Sequence, residues 1–286
     1  MKADRQKLII VTGVGYRDTG CNDDTLNVYD SPNAKANIGG WIAHELASAG
    51  LNLLLVSRRK ERLTRVKNSL HEKFPNSQVD CEAVDLLDAA SVRRVVSRVV
   101  PEAHVNLVHS VGLSAGNYKV LNDNPYLEVE STPPELPVLE FEIVVKTLLI
   151  LVQAFLPRLT QQQDSRIVVV SSMSGIRAYP LGYSHASAKA GLHHAVRSLC
   201  LELNKRNIYV SEVLPGIVDT GLYDSPEVQK AVVKIGRAFD YDYEKIGLPQ
   251  THPREVAEAV KLCLVSQAHI LAINMVSKGQ WPNMGA

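Results

Sequence analysis

The sequence predicts an α/β fold: a single doubly wound domain with a mostly parallel sheet and helices on both faces. Three observations predict it. Short apolar, β-branched runs at 8–12, 51–57 and 167–171 read as strands buried on both faces, because they lack polar alternation. Longer stretches with helical apolar spacing, at 138–159 and 183–203, separate such runs. The 286 residues, 45% of them hydrophobic, suffice for one large buried core.

The elements follow in chain order. Strand 8–12 ends at Gly13 and is followed by a polar, Asp- and Asn-rich stretch. Asn37, Ile38 and Gly39 open the first helix, with Asn37 suited to cap it. Strand 51–57 leads into Arg58, Arg59 and Lys60, and strand 77–84 into Asp85, Leu86, Leu87 and Asp88, where Asp88 can cap a helix at 89–100. Strand 104–110 ends in HVNLVHSVG, which contains Ser110 and Gly112. Residues 113–137 are polar and proline-rich and read as a long loop before the strongly apolar helix 138–159. Strand 167–171 ends at Ser171 and Ser172. A loop with Gly175, Pro180 and Gly182 then leads to helix 183–203, which carries Tyr183, His185 and Lys189. Strand 207–213 runs into Leu214, Pro215, Gly216, Ile217, Val218, Asp219 and Thr220. Residues 221–250, aromatic and charged, read as a segment covering a substrate; a helix near 252–266 and a strand at 270–276 close the chain.

The ends of strands in an open α/β sheet are where ligands bind. A serine at a strand end with a proton-transferring side chain and a lysine on the next helix is an active-site layout. The spacing of Ser172 and Lys189 and the PGIVDT stretch resemble the short-chain dehydrogenase/reductase family, with its Rossmann-type sheet. The resemblance implies an NADP-dependent oxidoreductase passing a hydride between nicotinamide and a carbonyl or hydroxyl substrate. It implies Ser172 and Lys189 as catalytic residues and a homodimer or homotetramer through helices 138–159 and 183–204. It implies a cofactor site built from Gly13, Asn37, Ile38, Gly39, Arg58, Asp85, Leu86, Ser110, Gly112, Lys189, Pro215, Gly216, Val218 and Thr220. Arg58, with no acid beside it, suits a ribose 2′-phosphate and so NADP. VHSVG is similar to the enoyl-thioester reductase branch, which opens carbon–carbon double-bond reduction as an alternative.

The chain departs from the family in three places. About twenty extra residues, near 14–36, interrupt the glycine turn after strand one. The asparagine that the family carries in helix 138–159 is missing, leaving Lys146 as the interior polar candidate. The position four before Lys189 is His185 and not tyrosine. Four residues on a helix place side chains about 40° apart, whereas Tyr183, six before Lys189, lies about 120° away. Tyr183 as displaced donor, His185 as donor, and a non-catalytic nucleotide-binding protein therefore all stay open. Formal net charge of +1 gives no reason to expect a nucleic-acid partner, and no run approaches the ~20 apolar residues of a membrane span. With no signal-like start and four scattered cysteines (Cys21, Cys81, Cys200, Cys263), the expectation is a cytoplasmic protein with reduced thiols. His193, His194 and the Cys21, Asp23, Asp24 group lack metal-ligand spacing, so no metal is expected.

Overall fold

The computed structural model describes residues 7–18, 27–112 and 124–280. In chain order the main elements are β1 (Lys7–Thr12), β2 (Tyr16–Asp18), β3 (Ala34–Ala36), α1 (Ile38–Ser48), β4 (Asn52–Ser57), α2 (Lys60–Lys73), β5 (Val79–Ala83), α3 (Ala89–Arg98) and β6 (His104–His109). There follow α4 (Glu135–Phe141), α5 (Thr147–Leu159), β7 (Ser165–Val170), α6 (Tyr183–Leu203), β8 (Ile208–Pro215), α7 (Pro226–Arg237), α8 (Tyr243–Ile246), α9 (Pro253–Val265) and β9 (Ala272–Met275). Seven strands form one sheet in the order β5-β4-β1-β6-β7-β8-β9, and every pairing in it is parallel.

Side-chain alternation divides the core. Ile9 and Val11 of β1 turn to one face, where Ile42 and Leu46 of α1, Leu63, Val66 and Leu70 of α2, and Val256 and Val260 of α9 cover them. Ile10 turns to the other face, against Val92, Leu148, Phe155 and Leu192 from α3, α5 and α6. Burying each such side chain stabilises the fold by roughly 1.5–3 kcal/mol before chain entropy is subtracted. Strand order reverses beside β1: β4 and β5 lie on one side of it and β6 on the other. The chain therefore diverges at the carboxyl ends of β1 and β6 and leaves a crevice there.

Two segments differ from the sequence reading. The stretch after Gly13 is not wholly loop: β2 and β3 pair antiparallel, Tyr16 with Ala36 and Asp18 with Ala34. Three-residue strands are too short to show a period of two, so the sequence could not reveal them. The helix expected at 138–159 starts at Glu135 and contains a π-turn over Glu142–Lys146 between α4 and α5. Such wide turns insert a residue without breaking the rod, and hydropathy does not register them. Of the loop expected at 113–137, residues 113–123 lie outside the described residues, as do Cys21, Asp23 and Asp24, and the rest holds a short 3-10 turn at Val129–Ser131 and the start of α4. Residues 221–250 carry α7 and α8, and their Tyr223, Val228, Val232, Ile235 and Tyr243 form a small cluster with Ile217.

Candidate active site

Two adjoining cavities open at the carboxyl ends of the strands. The first, of about 530 Å³, is lined by Gly13, Asn37, Ile38, Gly39, Arg58, Asp85, Leu86, Ser110, Gly112, Lys189 and Thr220, all expected there from the sequence. Pro215, Gly216 and Val218 line the second, of about 200 Å³, together with Ser172, His185 and Lys189. Lys189 borders both.

The floor of the first cavity requires glycine. Gly13 has φ +76°, and a Cβ there would lie 2.1 Å from the carbonyl oxygen of Ser110; one on Gly39 would lie 2.6 Å from the oxygen of Gly13. β1, β6 and the start of α1 thus meet at backbone contact. Asn37 holds this junction together. Its Oδ1 accepts from the amides of Gly40 (2.8 Å) and Gly15 (3.1 Å), and its Nδ2 donates to the oxygen of Gly13 at 2.9 Å. It caps α1 and fastens the extra segment, leaving later N–H groups and the positive end of the α1 dipole toward the cavity. Asp85 accepts from the amide of Leu87 (3.1 Å), and Asp88 caps α3 by accepting from Ala90 and Ser91.

The rim is basic and comes partly from the extra segment. Arg58, Arg59 and Arg62 line the cavity with Tyr16 and Arg17. Arg62 donates to the oxygen of Tyr16 at 2.9 Å, and both Arg62 and Arg65 lie over the Tyr16 ring. From β2, Arg17 donates to the oxygen of Gly221 at 3.0 Å. From β3, Lys35 pairs with Asp219 (3.0 Å) and Asp224 (2.9 Å), a contact that lifts the lysine above its ordinary pKa although burial opposes it. The hairpin is therefore strapped to the segment that follows β8. Sequence reasoning did not find this contact, because its partners lie about two hundred residues apart.

In the second cavity Ser172 accepts from the amide of Ser174 (3.1 Å) and donates to its hydroxyl (3.0 Å). Ser174 in turn approaches the Tyr179 hydroxyl at 3.5 Å. Tyr126, Tyr179 and Tyr223 form an aromatic wall, with the hydroxyls of Tyr126 and Tyr223 3.1 Å apart. Burial raises the pKa of all three. Gln280 enters over Gly216, accepting from the amide of Ile217 at 3.0 Å; a Cβ on Gly216 would meet its amide oxygen at 2.4 Å.

Tyr183 does not join this group. It opens α6, is 64% exposed and lines neither cavity. The helix begins at Tyr183 itself, so no loop adjustment rotates it inward, and the ~120° offset from Lys189 stands. Lys146 is likewise outside, exposed and paired with Glu142. His193 is not a surface residue: its Nδ1 lies 2.7 Å from Oε2 of buried Glu212. Among the described residues no cluster of three His, Cys, Asp or Glu side chains suits a metal ion.

His109 of VHSVG lines neither cavity. It is fully buried, with Nε2 3.3 Å from the carbonyl of Val144 in the π-turn and Nδ1 3.3 Å from the Thr12 hydroxyl. A carbonyl only accepts, so Nε2 carries a proton. Burial and nearby Lys189 push its pKa down to about 3. The motif fixes the π-turn to the ends of β1 and β6.

Glu140 on α4 is the residue the sequence reading missed. It is 1% exposed and lines the second cavity, and its Oε2 lies 3.9 Å from Nδ1 of His185. Among the described residues neither of its carboxyl oxygens has a hydrogen-bond partner. Burial raises it to about 7, against the pull of Lys189. Burial also lowers Lys189 to about 8, with Glu140 and Glu212 opposing, and burial and Lys189 lower His185 to about 3. A signal existed in the sequence: Leu136, Glu140, Val144 and Leu148 recur every four residues, which places the glutamate on the buried stripe.

Comparison with known proteins follows this geometry. Residues 33–230 match the family model for short chain dehydrogenases. The chain is 28% identical over 189 residues to a 3-oxoacyl-[acyl-carrier-protein] reductase of Aquifex aeolicus, covering 65% of this chain and 71% of that one. An NADPH-bound short chain oxidoreductase from Pseudomonas aeruginosa PAO1, described as containing an atypical catalytic center, superposes with a TM-score of 0.71 at 22% identity over 95% of this chain and 96% of that one. An alcohol dehydrogenase from Thermococcus sibiricus complexed with 5-hydroxy-NADP gives 0.70 at 22% identity, over 96% and 98%. The family match covers β4 to β8 of the sheet, and these folds align over nearly all of the chain. The chain belongs to the short-chain dehydrogenase family and is an oxidoreductase of that family.

Proposed function

We propose that the protein is an NADP-dependent reductase of carbonyl compounds, working reversibly on the corresponding alcohols. The observation that carries this reading is the junction of the two cavities at Lys189: one side is a glycine-floored, arginine-rimmed cleft at a helix N-terminus, the other a small aromatic pocket with Ser172. The fit to a dinucleotide rests on the backbone contact that Gly13 and Gly39 allow between β1, β6 and α1, which brings the start of α1 to the cavity. Gly13, Asn37, Ile38 and Gly39 would hold the pyrophosphate, Arg58 the 2′-phosphate, Asp85 and Leu86 the adenine, and Ser110, Gly112, Pro215, Gly216, Val218 and Thr220 the nicotinamide half. When bound, the reduced cofactor supplies a hydride. Lys189 would bind the ribose hydroxyls, Ser172 would donate to the substrate oxygen, and His185, on the cavity side of α6, would transfer its proton. The relatives include 3-oxoacyl-[acyl-carrier-protein] reductases, which favours a carbonyl over a carbon–carbon double bond.

A second copy of the chain is proposed on the outer faces of α4, α5 and α6, which expose Val138, Phe141, Leu149 and Leu201; sedimentation velocity reads the outcome directly. No described helix is long and apolar enough to cross a membrane, and the free thiols of Cys81, Cys200 and Cys263 suit a cytoplasmic setting.

The test is a fluorescence titration with NADPH and NADH, repeated on Arg58→Ala. The expected result is tighter binding of NADPH, with the preference reduced at least tenfold in the variant. Equal affinity for both cofactors would sink the 2′-phosphate assignment, and absence of any binding would sink the oxidoreductase mechanism.

A further inference from the structure

A neutral imidazole is a poor acid, and burial, with Lys189 adding to it, keeps His185 neutral. If His185 is to give a proton to a substrate oxygen, a second group must refill it in the same event. Four observations converge on one candidate. Glu140 lines the substrate cavity from the α4 side, and its Oε2 is 3.9 Å from Nδ1 of His185. Its carboxyl group is 1% exposed, and both oxygens lack a hydrogen-bond partner among the described residues. The helix bearing it is anchored: the π-turn one residue further on is tied to β6 through Val144 and His109. The groups that face it are Tyr126, Tyr179, His185 and Lys189, and Glu212 acts on it only through Lys189.

We propose that Glu140 is the proton reservoir of the active site, a positioning residue that holds the reaction proton and passes it through His185 to the substrate oxygen. The inference rests on the reductase reading above. The balance is as follows. The cofactor hydride brings the electron pair to the carbonyl carbon. The Nε2–H bond of His185 breaks as the new O–H bond of the alcohol forms. The Glu140 O–H proton moves to Nδ1 of the same ring, which flips tautomer but never becomes a lasting cation. Water then returns a proton to the Glu140 carboxylate, and the ring resets through solvent exchange. A buried carboxyl raised to about 7 can be both emptied and refilled near neutral pH. An ionised glutamate beside Lys189 would instead act as a plain counter-ion and would leave His185 with nothing to relay.

The experiment has two arms on wild type, Glu140→Gln, Glu140→Asp and His185→Gln. The first is calorimetric titration with NADP+ at pH 7 in phosphate and in Tris, which reads protons released on binding. The cationic nicotinamide should drive Glu140 to ionise, so wild type should release more protons than Glu140→Gln, and Glu140→Asp should keep most of that excess. Proton release by the 2′-phosphate is common to all variants and cancels. The second arm is NADPH-dependent reduction of an acetoacetyl thioester. Glu140→Gln and His185→Gln should each lower kcat by roughly 100-fold or more with KM little changed, and Glu140→Asp should recover most of the rate. Equal proton release in wild type and Glu140→Gln overturns the reservoir. A release difference with unchanged kcat in Glu140→Gln overturns the relay. Wild type that fails to bind NADP+ overturns the cofactor reading itself, and binding without reduction overturns the carbonyl reductase reading on which the relay depends.

Discussion

Replacing Asn37 should separate what the family glycine turn does for folding from what it does for the cofactor. The side chain makes three hydrogen bonds, to Gly13, Gly15 and Gly40. Asn37→Ala removes the N-cap of α1, which costs about 1 kcal/mol. It also removes the bonds to Gly13 and Gly15 in a half-buried junction, each a net contribution of about 1 kcal/mol. The three share one side chain and do not add fully, so the expected loss is about 2–3 kcal/mol. Asn37→Gly should lose less, about 1–2 kcal/mol, because glycine caps nearly as well and only the bridge disappears. Asn37→Asp keeps both accepted bonds and adds a negative charge at a helix N-terminus, which favours the fold and offsets the lost donation to Gly13, whose carbonyl then faces a carboxylate oxygen. It should therefore stay within about 1 kcal/mol of wild type while weakening NADPH binding more than the other two, since its carboxylate faces the cleft that would hold the pyrophosphate. Urea denaturation reads the first quantity and a cofactor titration the second. An alanine variant within 0.5 kcal/mol of wild type would refute the bridging role. Stability and affinity falling in parallel across all three variants would refute the separation.

Two further outcomes follow from the buried histidines and from Tyr183. His109 has a depressed pKa, so its contribution to stability is complete above its unfolded value of 6.5 and is lost as pH falls toward about 3. Between pH 7 and pH 5 that loss amounts to about 2 kcal/mol, at 1.36 kcal/mol per unit over the 1.5 units below 6.5. His109→Gln cannot ionise, so its stability should fall about that much less than wild type over the same interval in urea melts; Glu140, whose raised pKa acts with the opposite sign, is common to both. Parallel pH profiles would mean that His109 is not held neutral. Tyr183→Phe should leave kcat within a factor of two, because the hydroxyl it removes lies outside both cavities; a hundredfold drop in the same assay would return Tyr183 to the reaction.

What could be read from the sequence depended on how local the cause was. The parallel strands were legible because a strand covered on both faces must be apolar throughout, as 167–170 is. Asn37 was legible as a cap because capping is an i to i+3 event, but its bonds to Gly13 and Gly15 were not, since they span 24 and 22 residues. Asp88 was legible for the same local reason. The family spacing found Ser172 and Lys189, whereas Glu140 sits 45 residues before His185 in a helix that hydropathy reads as apolar packing. Its place on the every-fourth-residue stripe was visible, yet a glutamate beside Phe141 and Glu142 reads first as a solvated charge. VHSVG suggested chemistry because it lies at a strand end; in the fold its histidine is consumed by Thr12 and Val144.

The electrostatics of the second cavity explain why histidine can stand four residues before Lys189. A tyrosine beside a lysine gains from the cation, since the phenolate is the charged form and an opposite charge favours it. A histidine beside the same lysine is penalised, since its charged form is a cation. Without compensation the imidazole would be locked neutral and inert. The compensation in this chain is a second carboxyl group on the opposite wall: Glu140 and Glu212 both raise Lys189 against a burial that lowers it to about 8, and Glu140 itself sits near 7. Burial thus pulls the lysine down and pushes the glutamate up, while it holds His185 neutral. The two families of residues are exchangeable in sign: tyrosine with lysine alone, or histidine with lysine and a buried acid. On that argument neither partner of the pair tolerates replacement singly. His185→Tyr would place a phenol within reach of an uncompensated Glu140, and should gain little unless Glu140→Leu accompanies it. A single His185→Tyr variant as active as the double would show that Glu140 does not set the proton balance of the site.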